Sequence, residues 1–446
     1  MRDLIFSATL ALAYAYSIVN PFSGVLTWSW ISFASPHQMA WHDALRNFPW
    51  AMLAFFVTIL GMVYRKEPKK FFITPIMALI LIFVIGITIT SFFALAPYDE
   101  VYNKYSLIAK SFLFMIITGL LLDKKQRYFA LISVMCLSIG YYGVKGGIFA
   151  IKNGGQYIVF GPPESMISDN NHLAAAILVS LPLMNFLRLW FTRYWMKLFI
   201  TIVMMLSILS VLASYSRGAL IGLAAMLVVA ILRSRKKLLW SMAVVSFSLL
   251  AFVSMPERWH ARMSTISTYQ QDDSAEGRIK IWGASLKIAE ARPLVGGGFR
   301  APYIQKIVNR YAPGVTARAV HSIYFEVIGE HGFVVFFLWL LMPIVAILSS
   351  MRIIRKTKGR SDLIWASDLA KMSQASIVAY LVAGAFLSLS YWDYIFTIFV
   401  MLDSLSYMIS HEWLPSEIQQ SVSGTSLVSP YRRYILSIKR GGALKK

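Results

Sequence analysis

The chain has 446 residues, of which 57% are hydrophobic and 14% are charged, and its mean hydropathy is +0.61. This composition excludes an ordinary soluble globular protein and indicates an integral membrane protein. The formal net charge of +22 at pH 7 does not indicate a nucleic-acid partner, because most basic residues lie between long apolar runs. The single cysteine, Cys136, excludes an intrachain disulfide and a metal site built on several cysteines.

Apolar runs of about 20 residues, the length of helix that crosses a hydrocarbon core of ~30 Å, recur along the chain. Unpaired backbone groups are costly in lipid, so these runs must be helical, and we predict an all-α polytopic membrane protein with about 12 transmembrane helices. The first apolar segment, 4–33, is interrupted at Asn20-Pro21, and we interpret it as one crossing followed by a partial helix. The other predicted spans are Phe48–Tyr64, Phe71–Leu95, Tyr105–Leu122, Tyr128–Ala150, His172–Trp190, Trp195–Ala213, Arg217–Leu232, Leu238–Met255, Ser322–Ser350, Ser373–Tyr391 and Tyr394–Ser410.

Basic clusters between these spans predict the topology, because cytoplasmic loops of membrane proteins carry an excess of Lys and Arg. Taking the clusters as cytoplasmic places three stretches on the outer face, which are 35–47, 152–171 and 256–320. The predicted organisation is N-terminal transmembrane helices at 1–255, an outer loop at 256–320, C-terminal transmembrane helices at 321–411 and a basic cytoplasmic tail at 412–446.

The predicted outer loop, 256–320, is the largest polar region of the protein. A loop of this length is either functional or disordered, and the helical spacing in "GRIKIWGASLKIAEARP" favours an ordered, helical loop. It contains ten Lys and Arg against five Asp and Glu. Such an excess of positive charge on the outer face is unusual, and it indicates an anionic ligand.

Three residues of different motifs are predicted to meet at this face. "ASYSRGALIG" places Arg217 at the outer end of a span, "DSAEGRIKIW" places Arg278 on a loop helix, and "AVHSIYFE" places His321 at the head of the next span. Each alone has a structural interpretation, as a membrane-interface anchor or a solvated side chain. Together they fit one chemistry, because guanidinium groups bind phosphate oxygens and a neutral imidazole can take a proton near neutral pH.

The succession "EGRIKIW…ARPLVGGGF…VHSIYFEVIGEHGF" resembles the hallmark region of the O-antigen ligase and polymerase-like superfamily, and "YSRGALIG" resembles its serine-arginine-glycine motif. The specific motifs run from Ser216 to Gly332, and the glycine turn departs slightly, reading Gly296-Gly297-Gly298. The opening, from "MRDLIFSATL" to "SPHQMAW", is similar to the branch of probable O-glycosylation ligases that accompany exosortase systems.

The resemblance implies an O-antigen ligase of the bacterial inner membrane, with its active site facing the periplasm. Such an enzyme transfers a glycan from undecaprenyl pyrophosphate to the lipid A core oligosaccharide, with inversion and with no metal or other cofactor. His321 would be the general base, and Arg217 and Arg278 would bind the donor pyrophosphate. The implied partners are this donor, the lipid A core acceptor and membrane lipids, with no nucleic acid.

Other polar residues are weaker candidates. Asn171 and His172 could line a substrate pocket, Asp393 could orient a base, and Asp169 is expected to cap a helix. Glu326 lies five residues beyond His321, which does not favour a partner on the same helix face. Trp259, Trp282 and Tyr303 are expected either to stack on sugars or to pack within the loop.

Two alternatives remain open at this point. Related proteins that use the same donor join the glycan to protein side chains or to further repeat units, and the motifs do not distinguish these acceptors. A lipid-linked glycan transporter would also have many helices. We expect an enzyme, because no internal repeat is evident and the candidate residues gather at one face instead of the membrane midplane.

Overall fold

The structure is a computed structural model that describes residues 2–68, 70–233, 237–264 and 273–412. Within these residues the secondary structure is helical throughout, with no strand. The predicted cytoplasmic tail from residue 413 onward lies outside the described residues. The helices are α1 (Arg2–Val19), α2 (Pro21–Ala34), α3 (Asp43–Arg46), α4 (Trp50–Arg65), α5 (Pro75–Phe92), α6 (Tyr98–Leu121), α7 (Lys125–Lys152), α8 (Asn170–Trp190), α9 (Tyr194–Leu212), α10 (Arg217–Arg233), α11 (Lys237–Ser254), α12 (Glu257–Ser264), α13 (Asp273–Ala291), α14 (Gln305–Tyr311), α15 (Ile323–Lys356), α16 (Ile364–Gly384) and α17 (Asp393–Ser410).

The predicted all-α polytopic membrane architecture is confirmed. Among the described helices, eight are long and apolar enough to cross a membrane, namely α1, α5, α6, α7, α8, α9, α15 and α17, and α4 and α10 are shorter apolar helices. Every predicted span coincides with a helix. The least accurate prediction is the span Ser373–Tyr391. The corresponding helix, α16, begins at Ile364 and ends at Gly384, so that 385–392 is an irregular connection.

The N-terminal segment forms a helical hairpin. Pro21 is the first residue of α2, which confirms the break at Asn20-Pro21. The rings of Phe6 and Trp30 are 6.3 Å apart, so α2 runs back along α1. The Asp3 carboxylate accepts a hydrogen bond from the Trp41 amide at 3.0 Å. The segment therefore has two antiparallel helices, of which the 18-residue α1 is long enough to cross a membrane and the 14-residue α2 is shorter, in agreement with one crossing and a partial helix. Asp3 lies at the end where the 35–49 connection lies.

Several connections meet at one end of the helix bundle, which we call the loop end. The Leu95 amide donates to the Gly297 carbonyl at 2.8 Å, and the Val159 amide donates to the Ala213 carbonyl at 3.1 Å. Between α11 and α15 lie α12, α13 and α14, so the prediction of a large helical loop between two late spans is confirmed for its described residues. The predicted outer stretches 152–171 and 256–320 thus lie at the same end.

The glycine turn of the loop supplies hydrogen bonds at the point where α15 is interrupted. Gly332 has φ 72° and ψ −173°, which interrupts the helix after His331. The amides of Gly297 and Gly298 donate to the carbonyls of Gly329 and Glu330 at 2.9 and 2.7 Å. Carbonyl groups that the break would leave unpaired are thereby satisfied. The two motifs fold together because one supplies the donors that the other lacks.

We expect Gly298→Ala to lower the thermal stability of the protein markedly. Gly298 has φ +78°, a conformation that costs a residue with a Cβ roughly 1–3 kcal/mol, and the added Cβ would also collide with Ala94. Gly314→Ala is the matched control, since Gly314 has φ +81° but no neighbour within 4 Å of an added Cβ. Thermal unfolding of the two purified variants in detergent separates the collision from the backbone strain, and equal melting temperatures would contradict close packing of the turn.

Candidate active site

His321 lies at the loop end, two residues before α15 begins. Its φ of +50° is in the left-handed region, and its amide donates to the Ser388 hydroxyl at 2.8 Å. The indole of Trp282, on α13, donates to the Val320 carbonyl at 2.7 Å. His321 is therefore held from two sides, by the loop helix α13 and by the 385–392 connection.

The surroundings of His321 keep its imidazole neutral. Burial and the positive charges of Arg278 and Arg318 together lower its pKa to about 4, against the opposing effect of the Asp169 carboxylate. The free imidazole thus has an unprotonated nitrogen at any pH well above 4. The groups whose charges act on the ring are therefore Arg278, Arg318, His172 and Asp169.

Two guanidinium groups of the loop lie near His321. Arg278 precedes Trp282 by one turn of α13, so both side chains are on the same side of that helix. The guanidinium of Arg318 lies against Gly277, where a Cβ would collide with it. Sequence reasoning singled out Arg278 but missed Arg318, for which the only signal was the positive excess of the loop.

Arg217 is the first residue of α10 and is half-buried at the loop end. The turn before it is tied to α8, because the Asn170 side-chain amide donates to the Ser214 carbonyl at 2.7 Å. Gly218 lies beside the Phe386 side chain, whose ring is 6.5 Å from that of Trp282. The structure therefore places Arg217 at the same end as Arg278 and His321, on the far side of Phe386.

The start of α8 contributes a polar group without a partner. Asp169 caps this helix as predicted, accepting from the Asn171 amide at 2.8 Å, and the Asn171 side chain donates to the same carboxylate at 2.9 Å. The Nε2 atom of His172 is buried and has no hydrogen-bond partner among the described residues. A buried nitrogen in this state is costly, and a substrate hydroxyl or phosphate would satisfy it.

Asp393 is placed differently from the other candidates. It is buried at the first turn of α17, and its carboxylate accepts a hydrogen bond from the Ser32 hydroxyl of α2. This contact ties Asp393 to the N-terminal hairpin. An orienting role toward His321 is a prediction to which this contact adds no support.

The loop aromatics are engaged in packing, the second of the two expected roles. The Trp259 indole donates to the Leu212 carbonyl at 3.1 Å, and Trp282 stacks on Phe325 with ring centres 5.2 Å apart. The Tyr303 hydroxyl donates to Glu326 at 2.8 Å. These contacts hold the loop on the bundle.

A buried ionic network, which sequence reasoning missed, lies beneath the site. Lys104 of α6 donates to Glu326 and Glu330 of α15 at 3.0 and 2.8 Å. Glu326 therefore does not act as a same-face partner of His321, in agreement with its spacing. The only sequence signal for the network was the presence of ionisable residues in otherwise apolar helices.

The arrangement combines a neutral proton acceptor with fixed positive charge at one end of a membrane-spanning bundle. Such a site can deprotonate a hydroxyl and stabilise a phosphate leaving group at the same time.

Comparisons with known proteins match two parts of the chain. Residues 202–340 match the family described as O-Antigen ligase, a region that contains Arg217, Arg278 and His321. Residues 1–196 match a family described as one of unknown function, so the predicted exosortase-associated branch remains a prediction. No curated protein matches the chain. The match of residues 202–340 and the motifs within them support an O-antigen ligase-like assignment for this part of the chain.

Proposed function

We propose that the protein transfers a glycan from undecaprenyl pyrophosphate to the lipid A core oligosaccharide on the periplasmic face of the bacterial inner membrane. His321 acts as the general base, Arg217 and Arg278 bind the donor pyrophosphate, and no metal takes part. The observation that carries this proposal is the neutral imidazole of His321 beside the guanidinium groups of Arg278 and Arg318, with Arg217 at the same end of the bundle. The O-antigen ligase match of the same region supports the reaction class.

The reaction balances with these groups alone. The acceptor hydroxyl gives its proton to the imidazole of His321, and its oxygen forms a bond to the anomeric carbon of the donor. The bond from that carbon to the phosphate oxygen breaks, and undecaprenyl pyrophosphate leaves with the electron pair. A single displacement of this kind inverts the anomeric centre.

Binding of the donor would strengthen the base. Burial lowers the His321 pKa most, the positive charges of Arg278 and Arg318 also lower it, and a bound pyrophosphate would offset these two charges. The pKa of His321 then rises toward its ordinary value, so the ring becomes a better proton acceptor when the donor is in place. Arg318, which sequence reasoning did not single out, thereby joins the proposed pyrophosphate-binding groups.

Transfer in the presence of EDTA tests this function. We expect the reconstituted protein to transfer glycan from purified undecaprenyl-pyrophosphate-linked donor to lipid A core at the same rate with and without EDTA, because the guanidinium groups supply the positive charge that a metal would otherwise provide. A peptide and a free glycan are offered as acceptors in parallel reactions. Transfer to one of these alone would redirect the assignment to a protein O-oligosaccharyltransferase or an O-antigen polymerase, and loss of activity in EDTA would contradict the metal-independent reaction.

A further inference from the structure

The backbone of His321 needs external support. With φ +50°, it adopts a left-handed conformation that side chains with a Cβ rarely take, and such conformations persist only where the surroundings enforce them. The nearest support is the Ser388 hydroxyl, which accepts the His321 amide at 2.8 Å. Ser388 belongs to the 385–392 connection, which precedes α17.

From Ser388 a chain of polar groups leads to a buried carboxylate. The Ser388 hydroxyl interacts with the Tyr303 phenol, and this phenol donates to Glu326 Oε1 at 2.8 Å. The His321 amide donates to Ser388 at one end of this chain, and Tyr303 donates to Glu326 at the other. A hydrogen bond to a charged group is stronger than one between neutral groups, so the Glu326 carboxylate fixes the phenol beside Ser388.

The carboxylate end of the chain is fixed in turn. Glu326 accepts from Lys104 at 3.0 Å and from the Ser390 hydroxyl at 2.5 Å. Glu330 accepts from the same lysine at 2.8 Å and from the Tyr391 hydroxyl at 2.9 Å. Ser390 and Tyr391 follow Ser388 in the same connection, so the two carboxylates hold that connection at two further points.

Stability alone does not explain this network. Replacing buried ion pairs by well-packed apolar residues is often neutral or stabilising. Ionisable residues within membrane-spanning helices indicate function by default. Apolar packing would not hold the His321 backbone in its strained conformation. The Ser388 hydroxyl must accept a hydrogen bond from the His321 amide, and this requires a polar group at a fixed position.

We infer that Ser388, Tyr303 and Glu326, with Lys104 as the counter-charge, are positioning residues that hold the His321 imidazole in its reactive placement. This inference rests on the proposed function, in which His321 is the base. The residues act through the backbone of His321 and do not touch the reacting atoms. Their loss therefore changes the rate of the chemical step and leaves donor binding and the His321 pKa in place.

Ser388→Ala and Tyr303→Phe test the inference by kinetics of glycan transfer. Misplacement of a catalytic group by about 1 Å can cost about 10²-fold, and we expect kcat to fall by about that factor in each variant. The KM for the donor and the acidic limb of kcat/KM should stay as in the wild type. The double variant should be no slower than the slower single variant, because both changes cut the same chain. Ser388→Thr, which keeps a hydroxyl, should restore kcat.

Tyr324→Phe is the matched control, since this phenol donates to the Leu381 carbonyl and is outside the chain. A Ser388→Ala variant with the wild-type kcat would overturn the inference and leave the proposed function intact. A Ser388→Ala variant with a lower melting temperature but an unchanged kcat per folded molecule would also overturn the inference.

If the wild type transfers no glycan, the proposed function fails, and a second readout still tests the positioning chain. The rate at which diethyl pyrocarbonate modifies His321, followed by peptide mass spectrometry, should differ between the wild type and Ser388→Ala. An unchanged rate would overturn the chain independently of activity.

Discussion

His321→Ala should abolish detectable glycan transfer while the protein still folds. A positioned general base contributes about 10² to 10⁴ in rate, and this variant removes the proposed base. His321 is half-buried and precedes α15, so removal of its ring leaves no cavity within the bundle. The measurement is the initial rate of transfer by purified protein in liposomes, with the melting temperature of each sample as the test of folding.

His42→Ala is the matched control, because His42 is an exposed histidine beside Asp3 in the 35–49 connection, away from the proposed site. It should retain the wild-type rate. A folded His321→Ala variant that keeps more than about a tenth of that rate would remove His321 from the role of base. The O-antigen ligase match of residues 202–340 would stand, and the search for the base would move to His172, whose buried Nε2 has no described partner.

The helical architecture was predictable because lipid permits few alternatives. Each apolar run had to form a helix, and the positions of the predicted spans agree with α4 to α11, α15 and α17. The predicted helix bounds are wrong where tertiary contacts determine the backbone conformation. Residues 385–392 are apolar enough to extend α16, but the hydroxyl groups of Ser388 and Ser390 pair with the His321 amide and with Glu326 instead.

The candidate site was predictable only in part, because contacts between residues far apart in the chain determine the rest of it. Arg217, Arg278 and His321 stand in motifs, and their common location followed from the alternation of spans. Lys104 is separated from Glu326 by 222 positions in the chain, and no local pattern indicates that the two groups meet. Arg318 was hidden among other basic residues of the loop, and its packing on Gly277 and its effect on the pKa of His321 distinguish it.

The second large effect is expected for Arg278→Gln. Removal of one group that stabilises a developing anion typically costs about 10² to 10³ in kcat. The same substitution removes a positive charge that lowers the pKa of His321. In the wild type, kcat/KM should decrease as the pH falls through about 4, where the free imidazole becomes protonated. In the variant, this acidic limb should move to higher pH, toward the ordinary histidine value of about 6.5.

Lys280→Gln is the matched control for charge, since Lys280 lies two residues further along α13 and pairs with the exposed Glu276 at 2.7 Å. It should leave both kcat and the acidic limb in place. The profile distinguishes two roles of Arg278, because a group that only bound pyrophosphate would lower activity without moving the limb. A reduced kcat with an unshifted limb would therefore keep the arginine as a phosphate ligand but contradict its electrostatic control of His321, whereas unchanged activity would contradict both.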